Sequence, residues 1–212
     1  MKNIIYKSIL GSRSYDFAAP DSDVDVGVIN LTSMGKRVIR EKGLDVLPSS
    51  YSEFISDMLG PTPRWFFTQF LFPESFEEGD IAKYIIENRE DIIGARLPML
   101  YETIKRRGDG LSNFGDRLYK VCPKRLAYST LFYSILANYA EGMPFALAHR
   151  PEGELHDFLI GMRLGQVPLE DAVARNALER TRAEKAAGFY RQAVHPEVLR
   201  EFEQVIKEAE RL

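Results

Sequence analysis

Aspartate and glycine alternate with valine from residue 23 to residue 28, where the chain reads Asp-Val-Asp-Val-Gly-Val. Successive side chains of a β-strand point to opposite faces, so the valines share one face and the carboxylates of Asp23 and Asp25 share the other. The two carboxylates would lie about 7 Å apart along the strand. The pattern predicts a half-buried strand with a polar working face.

A second aspartate-bearing strand is predicted from Gly43 to Leu47. Apolar residues flank Asp45 and point away from it, so its carboxylate can share a sheet face with Asp23 and Asp25. Hard cations prefer carboxylate oxygens as ligands, and such cations bridge to phosphate. We therefore expect the three aspartates to bind Mg²⁺ or Mn²⁺ and to be the catalytic residues. Asp45 would act either as a ligand of a second ion or as a general base.

A Gly-Ser turn, Gly11-Ser12, ends the first strand, and ten residues separate it from Asp23. Glycine lets the backbone approach a ligand closely, and the serine hydroxyl and nearby amides can donate to phosphate oxygens. The turn suits a triphosphate tail. Arg13 beside the turn and Lys124 from a later helix are predicted to contact the same phosphates. For both cations, ordinary solvation at the surface is the alternative.

The same residues form a motif that resembles the signature of a known protein family. Gly11-Ser12 followed by SDVD at 22–25 resembles the signature of the DNA polymerase beta-like nucleotidyltransferase superfamily. The longer phrase GSRSYDFAAPDSDVD is similar to that of the predicted nucleotidyltransferases of bacteria and phages. In that branch a third strand carries an aspartate shortly before a Tyr-Ser helix start, and GLDVLPSSYSEFISDML matches this pattern at Asp45. The resemblance extends over most of the chain and is specific in residues 1–50.

The later part of the chain is similar to this branch in two places and departs from it in one. Lys124 is followed by RLAYSTLFYSIL, and MRLG at 162–165 precedes the acidic helix start PLEDAV. In that branch the helix after the lysine tends to carry a histidine and an arginine about a turn apart. This chain has other residues there, namely Tyr128 or Ser129 and Leu131 or Phe132. The resemblance therefore implies no substrate contacts for the side chains of this helix that replace that histidine and arginine.

The resemblance implies a metal-dependent nucleotidyltransferase. Such an enzyme moves a nucleoside monophosphate from a nucleoside triphosphate such as ATP to an acceptor and releases pyrophosphate. The acceptor class stays open among RNA, protein and small molecules, because one fold serves many acceptors.

Two other functions stay open. A nucleotide-binding regulatory or antitoxin-like module on the same fold would do little catalysis, and the retention of all three aspartates argues against it. A structural α+β interaction protein would leave the polar strand face and the Gly-Ser turn unexplained. Metal-dependent binding of a triphosphate separates the structural protein from the other two functions.

The residue pattern changes near Ser52. Before this point, short β-rich runs are broken by Gly, Pro, Ser and Asp, and after it apolar residues recur at helical spacing. We expect an α+β protein with a catalytic lobe built on a small mixed sheet in residues 1–60 and a mainly α-helical lobe in residues 61–212. Helices are predicted from residue 52, between 118 and 140, after Pro168 and after His195, and the aromatic cluster at 65–72 is predicted to be core.

Composition limits which partners the chain is expected to bind and which cellular compartment it suits. The 28 Lys and Arg against 31 Asp and Glu give a net charge of -3, which does not support nucleic-acid binding by bulk positive charge. Cys122 is the sole cysteine, cannot form an internal disulfide and is predicted to be a buried thiol. The N-terminus has too short an apolar run for a signal peptide, and no segment approaches the roughly 20 apolar residues of a membrane span. We expect a cytoplasmic protein without a membrane partner.

Overall fold

The computed structural model describes residues 4–20, 22–30, 39–41, 43–60, 75–76, 80–112 and 122–190, together with 197, 200, 201 and 204. A mixed sheet is built from the N-terminal part of the chain, and every regular element described from residue 80 onward is a helix. The predicted α+β class is confirmed. The aromatic cluster predicted at 65–72 and the apolar stripe of the last predicted helix lie outside the described residues.

The strands span Ile4–Leu10 (β1), Val24–Asn30 (β2), Ile39–Glu41 (β3), Leu44–Ser50 (β4) and Ser75–Phe76 (β5). They form one sheet in the order β3-β4-β2-β1-β5. β2 pairs antiparallel with β1 and parallel with β4, so the sheet is mixed, as predicted. The short strands β3 and β5 have no counterpart in the sequence prediction.

The alternation predicted for β2 is present, but the face that carries Asp25 is not polar throughout. Gly27 and Ile29 share that face with Asp25, and both are buried. On the opposite face, Val24 and Val26 are only half-buried. The predicted half-buried strand with a polar face therefore describes β2 as far as Val26, and the polar face does not continue beyond it, because residues 27–30 are buried on both faces of the strand.

Helix α1, Tyr51–Leu59, begins directly after β4. The Glu53 N–H donates to Ser50 Oγ at 3.2 Å, and the Ser50 N–H donates to the Glu53 carboxylate at 3.2 Å. This reciprocal capping box starts the helix one residue earlier than predicted. Phe54 stacks on Tyr6 of β1 with ring centroids 6.4 Å apart, which attaches α1 to the sheet.

The other helices span Asp80–Glu87 (α2), Arg89–Ser112 (α3), Pro123–Ala140 (α4), Phe145–Ala148 (α5), Gly153–Arg163 (α6) and Leu169–Tyr190 (α7). α4 ends at Ala140, as predicted, and the residues before it at 113–121 lie outside the described ranges. α7 begins directly after Pro168 with Glu170 and Asp171 in its first turn, where acidic side chains favour the helix dipole. The helix predicted at this proline is confirmed.

Composition led to predictions about the Cys122 thiol and about membrane-spanning segments. Cys122 is a free thiol immediately before α4 and is half-buried. The prediction of a buried thiol is therefore wrong, because the residue lies at a helix start instead of on an interior helix face. Among the helices that the structure describes, none has both the length and the apolar character needed to cross a membrane.

The chain divides into two compact units. One comprises Met1–Ser14, Ser22–Leu100 and Ala193–Leu212, and the other comprises Tyr15–Asp21 and Tyr101–Gln192. The sheet and α1 belong to the first unit, and α4 to α7 belong to the second. The boundary predicted at residue 60 adjoins 61–74, which the structure does not describe, and it stays a prediction.

In the second unit, α4 packs against α6 and α7. Asn176 of α7 donates to Ser129 Oγ at 2.9 Å and to Thr130 Oγ1 at 3.0 Å. All three side chains are buried, and their mutual hydrogen bonds offset the cost of removing them from water. These bonds fix α7 against α4.

Asp109 of α3 has several partners in the second unit. It accepts a hydrogen bond from the Tyr133 hydroxyl and lies 3.3 Å from Lys105 Nζ and 3.6 Å from an Arg180 nitrogen. Burial acts to raise the pKa of Asp109, but the hydrogen bonds from Tyr133 and Lys105, together with the charges of Lys105 and Arg180, outweigh it, and the pKa lies below its ordinary value. This cluster links α3, α4 and α7.

Candidate active site

Asp25 and Asp45 are direct neighbours across two parallel strands. The register of β2 and β4 sets Asp25 opposite Asp45, so their side chains lie on one face of the sheet. Neighbouring strands are about 4.8 Å apart, closer than the spacing of about 7 Å between alternate residues of one strand. Both side chains are half-buried. The structure thus brings together two aspartates that lie 20 positions apart in the sequence.

This carboxylate pair belongs to a row of side chains that crosses the sheet. β1 sets Leu10 opposite Asp25, and β3 sets Arg40 opposite Asp45. Arg40 Nε lies 3.5 Å from Asp45 Oδ2, and the two side chains are 79% and 26% exposed. Such an exposed ion pair is weak and screened by salt. Arg40 could not be predicted from the sequence, because the three residues of β3 are too few to give a recognisable pattern.

Asp23 precedes β2 and is exposed. The N–H of Val24 donates to the Gly43 carbonyl at 2.8 Å, which fixes the chain where it enters the sheet. Within the described ranges, no three His, Cys, Asp or Glu side chains converge closely enough to hold a metal ion. Asp23 therefore lies two residues before Asp25 but does not complete a cluster of three acidic side chains.

Gly11 lies against the Asp25 carboxylate. The residue has φ +67°, a left-handed conformation that favours glycine. A Cβ at this position would collide with Asp25 Oδ2 and would stand 3.3 Å from Asp25 Cγ. The sequence predicts that this glycine lets a ligand approach the backbone closely. In the structure it admits the carboxylate itself, which places the Gly-Ser turn beside the Asp25–Asp45 pair.

The turn is a short 3-10 helix, Gly11–Arg13, closed by a hydrogen bond from Ser14 Oγ to the Gly11 carbonyl at 2.8 Å. Ser12 is buried, whereas Arg13 is exposed. Arg13 donates to the Ser22 carbonyl at 2.8 Å and so joins the turn to the residue before Asp23. A guanidinium has five N–H donors, so this bond leaves Arg13 capacity for an anionic ligand.

Lys124 belongs to the second unit, in the first turn of α4, and is exposed. Its Nζ lies 5.9 Å from the centroid of the Tyr128 ring, a distance at which a cation is attracted to an aromatic face. The predicted contact between Lys124 and a triphosphate stays a prediction.

The chain is an α+β protein with a pair of carboxylates at one end of its sheet. At that end β2 and β4 begin and β1 ends. Comparison of the chain with models of known protein families and with curated proteins finds no match in either set. The function therefore has to be inferred from the residues themselves.

Proposed function

We propose that the chain is a metal-dependent nucleotidyltransferase. It would transfer a nucleoside monophosphate from a nucleoside triphosphate to an acceptor hydroxyl or similar group and release pyrophosphate. The observation that carries this proposal is the pairing of Asp25 with Asp45 on neighbouring parallel strands, next to the close approach of Gly11. Paired carboxylates beside a glycine turn suit a metal ion bound together with phosphate.

The donor chemistry fits a hard divalent cation. Asp25 and Asp45 supply carboxylate oxygens on one sheet face, and Asp23 supplies a third carboxylate two residues before Asp25. These are the ligands that Mg²⁺ and Mn²⁺ prefer. When bound, such an ion would neutralise charge on the phosphate oxygens. We propose as its ligands Asp25 and Asp45, which the strand register pairs, and as a third ligand Asp23, which lies outside that pair.

The remaining residues bind and orient the substrates. Backbone amides of the Gly11-Ser12 turn and the Arg13 guanidinium would hold the triphosphate, since both are anion donors. In the transfer, an acceptor oxygen bonds to the α-phosphorus as the bond to the β-phosphate oxygen breaks, and pyrophosphate leaves. Asp45 would accept the acceptor proton if it acts as the general base.

A nucleotide-binding regulatory module is the second candidate, and the ion pair between Arg40 and Asp45 favours it. A carboxylate held by an arginine has part of its charge already balanced, which weakens its attraction for a metal ion. A module of this kind would bind a triphosphate and transfer nothing.

The experiment that separates these functions uses radiolabelled nucleoside triphosphates. The full chain is incubated with each α-labelled triphosphate, Mg²⁺ or Mn²⁺, and a cell extract. We expect the label to move to one acceptor species, with loss of transfer on chelation and in Asp25→Asn. Asp91→Asn is the matched control, because it removes an exposed carboxylate of the same unit in the first turn of α3. Metal-dependent binding without transfer in any extract would favour the regulatory module.

A further inference from the structure

Four strands of the sheet each contribute one residue to a row on one face. In order across the sheet, the row contains Leu10 of β1, Asp25 of β2, Asp45 of β4 and Arg40 of β3. Neighbouring strands are about 4.8 Å apart, so the two ends of the row are roughly 14 Å apart. The carboxylate pair lies in the middle of the row and has a different neighbour on each side.

The β1 side of the carboxylate pair is the side proposed above for the triphosphate. Leu10 is buried, and the chain turns directly after it at Gly11, which lies against the Asp25 carboxylate. Arg13 ends this turn, is exposed and belongs to the same unit as the strands. A triphosphate bound at the turn approaches the pair from β1. The opposite side of the pair, at β4 and β3, is then the side open to the acceptor.

Arg40 is the residue of the row on that opposite side. Its side chain is 79% exposed, and its Nε lies 3.5 Å from Asp45 Oδ2. An exposed ion pair of this kind changes an equilibrium by a factor of about five or less. Because a divalent cation carries more charge than a guanidinium, Arg40 does not keep Asp45 from a cation that binds the carboxylate pair. Arg40 then stays beside the site with its donors available to another anion.

The chemistry of the guanidinium determines which group it can bind there. A guanidinium keeps its positive charge at neutral pH and offers five N–H donors. The donors form a planar fork that fits the oxygens of a phosphate or a carboxylate. Arg40 is also the sole Lys or Arg of β3 and β4 as the structure describes these strands. Any anionic group that meets the two strands at this end therefore meets Arg40.

We propose that Arg40 binds an anionic group of the acceptor, so that the acceptor carries a phosphate or a carboxylate close to its attacking hydroxyl. This inference rests on the proposed function and names the class of its second substrate. Arg40 forms and breaks no covalent bond in the transfer. It holds the anionic group on the β3 side while the acceptor oxygen faces the α-phosphorus beside Asp25 and Asp45. Without a cation the same guanidinium is shared with Asp45, so the acceptor is held more weakly before the site is loaded.

The test measures the two sides of the site separately in the full chain. The triphosphate side is filled with Mg²⁺ and an α,β-methylene nucleoside triphosphate, which cannot release pyrophosphate, and the affinity of this analogue is measured by calorimetry. Inorganic phosphate and acetate are the probes of the acceptor side. Their affinities for the loaded protein are measured by NMR titration. The two probes distinguish an acceptor that carries a phosphate from one that carries a carboxylate.

Arg40→Gln should separate the two affinities at saturating Mg²⁺. We expect the better-bound probe to bind about tenfold more weakly, because charge-assisted hydrogen bonds to the anion are lost. The affinity of the triphosphate analogue should stay within about twofold, since the β1 turn lies beyond the range at which exposed charges interact strongly. Arg40→Lys should show an intermediate loss of probe affinity, because lysine keeps the charge but not the planar fork.

Two control variants show which side of the carboxylate pair each charge serves. Arg13→Gln removes the exposed guanidinium of the β1 turn, so it should weaken binding of the triphosphate analogue and leave the probe affinity unchanged. Lys83→Gln removes an exposed charge of α2 in the same unit and should leave both affinities unchanged.

Several results would overturn this inference. They are the failure of both probes to bind the loaded wild type, equal probe affinity in Arg40→Gln and wild type, and an equal loss of probe affinity in Arg13→Gln or Lys83→Gln. If Arg40→Gln does not fold, Arg40→Lys carries the same comparison. Any of these results together with transfer of label by wild type leaves the proposed transferase standing. A wild type that binds the analogue and a probe but transfers no label contradicts the transferase, and the probe affinities still decide whether Arg40 binds an anion. A wild type that binds no triphosphate in Mg²⁺ contradicts both.

Discussion

Gly11 and Asp25 touch: the glycine backbone leaves no room for a side chain beside the aspartate carboxylate. The contact joins the turn after β1 to the second residue of β2, and the same carboxylate faces Asp45 on β4. Three strands thus contribute to one small region of the sheet. Glycine is favoured there by its lack of a Cβ as well as by its backbone conformation.

Gly11→Ala should destabilise the protein more than Gly43→Ala does. Both glycines have a positive φ, +67° and +80°, but a Cβ at Gly43 would meet nothing within 4 Å. Positive φ costs alanine about 1 kcal/mol at either position. The clash is with the end of the half-buried Asp25 side chain, and turning that carboxylate away should add about 0.5–1.5 kcal/mol at Gly11. Urea unfolding measures both changes, and equal destabilisation would contradict the close approach to Asp25.

Arg40→Gln should tighten Mn²⁺ binding about threefold at low salt, because the arginine competes with the metal ion for Asp45. The gain should vanish at high salt, since exposed charges are screened. Lys83→Gln is the control, because it removes a positive charge from another exposed ion pair, Lys83–Glu87, in the first unit. Calorimetry at two salt concentrations makes the measurement. A salt-independent gain, or the same gain in Lys83→Gln, would count against the competition.

The sequence alone predicted the two aspartate strands, because alternation over several residues is a local signal. It also predicted the helix after Pro168. The register that sets Asp25 opposite Asp45 was not predictable, since strand pairing depends on partners distant in the chain. β3 was too short to recognise, and Arg40 was missed with it.

Ser50→Ala should lower the free energy of unfolding by about 1 kcal/mol, the usual effect of losing an N-cap side chain. Ser50 accepts from the Glu53 N–H at the start of α1, directly after β4. Ser56→Ala is the matched control, because Ser56 is exposed within the same helix. Urea unfolding of both variants tests the cap. Equal stability of Ser50→Ala and Ser56→Ala would show that the capping box contributes little.

Tyr133→Phe should raise the pKa of the Asp109 carboxyl toward its ordinary value of about 3.9. Although burial opposes it, the Tyr133 hydrogen bond helps to keep that pKa low in the folded protein. A depressed pKa contributes stability above the unfolded value, and this stability is lost as pH falls through the folded pKa. The difference in stability between wild type and Tyr133→Phe should therefore be present at neutral pH and shrink in acid. Carboxyl NMR titration checks the shift, and an unchanged Asp109 pKa would contradict it.

Residues 15–20 illustrate what a local sequence pattern cannot reveal. Tyr15 and Phe17 lie in a stretch rich in Gly, Ser, Pro and Asp, which is typical of a loop, and yet both are buried. Their partners, Tyr128 and Arg163, come more than 100 positions later in the chain. Nothing in the spacing of residues 15–20 indicates these contacts, because they depend on how the helices of the second unit pack.

The most direct measurement of the central claim is pyrophosphate release from nucleoside triphosphates in Mg²⁺, in parallel with triphosphate affinity by calorimetry. Wild type is compared with Asp25→Asn, Asp45→Asn and the control Asp91→Asn. We predict metal-dependent release by wild type and by the control, and a loss of at least about a hundredfold in the two site variants. Asp45→Asn should keep most of its triphosphate affinity, because Asp45 acts mainly in the transition state. Equal release from wild type and both folded site variants would contradict the claim.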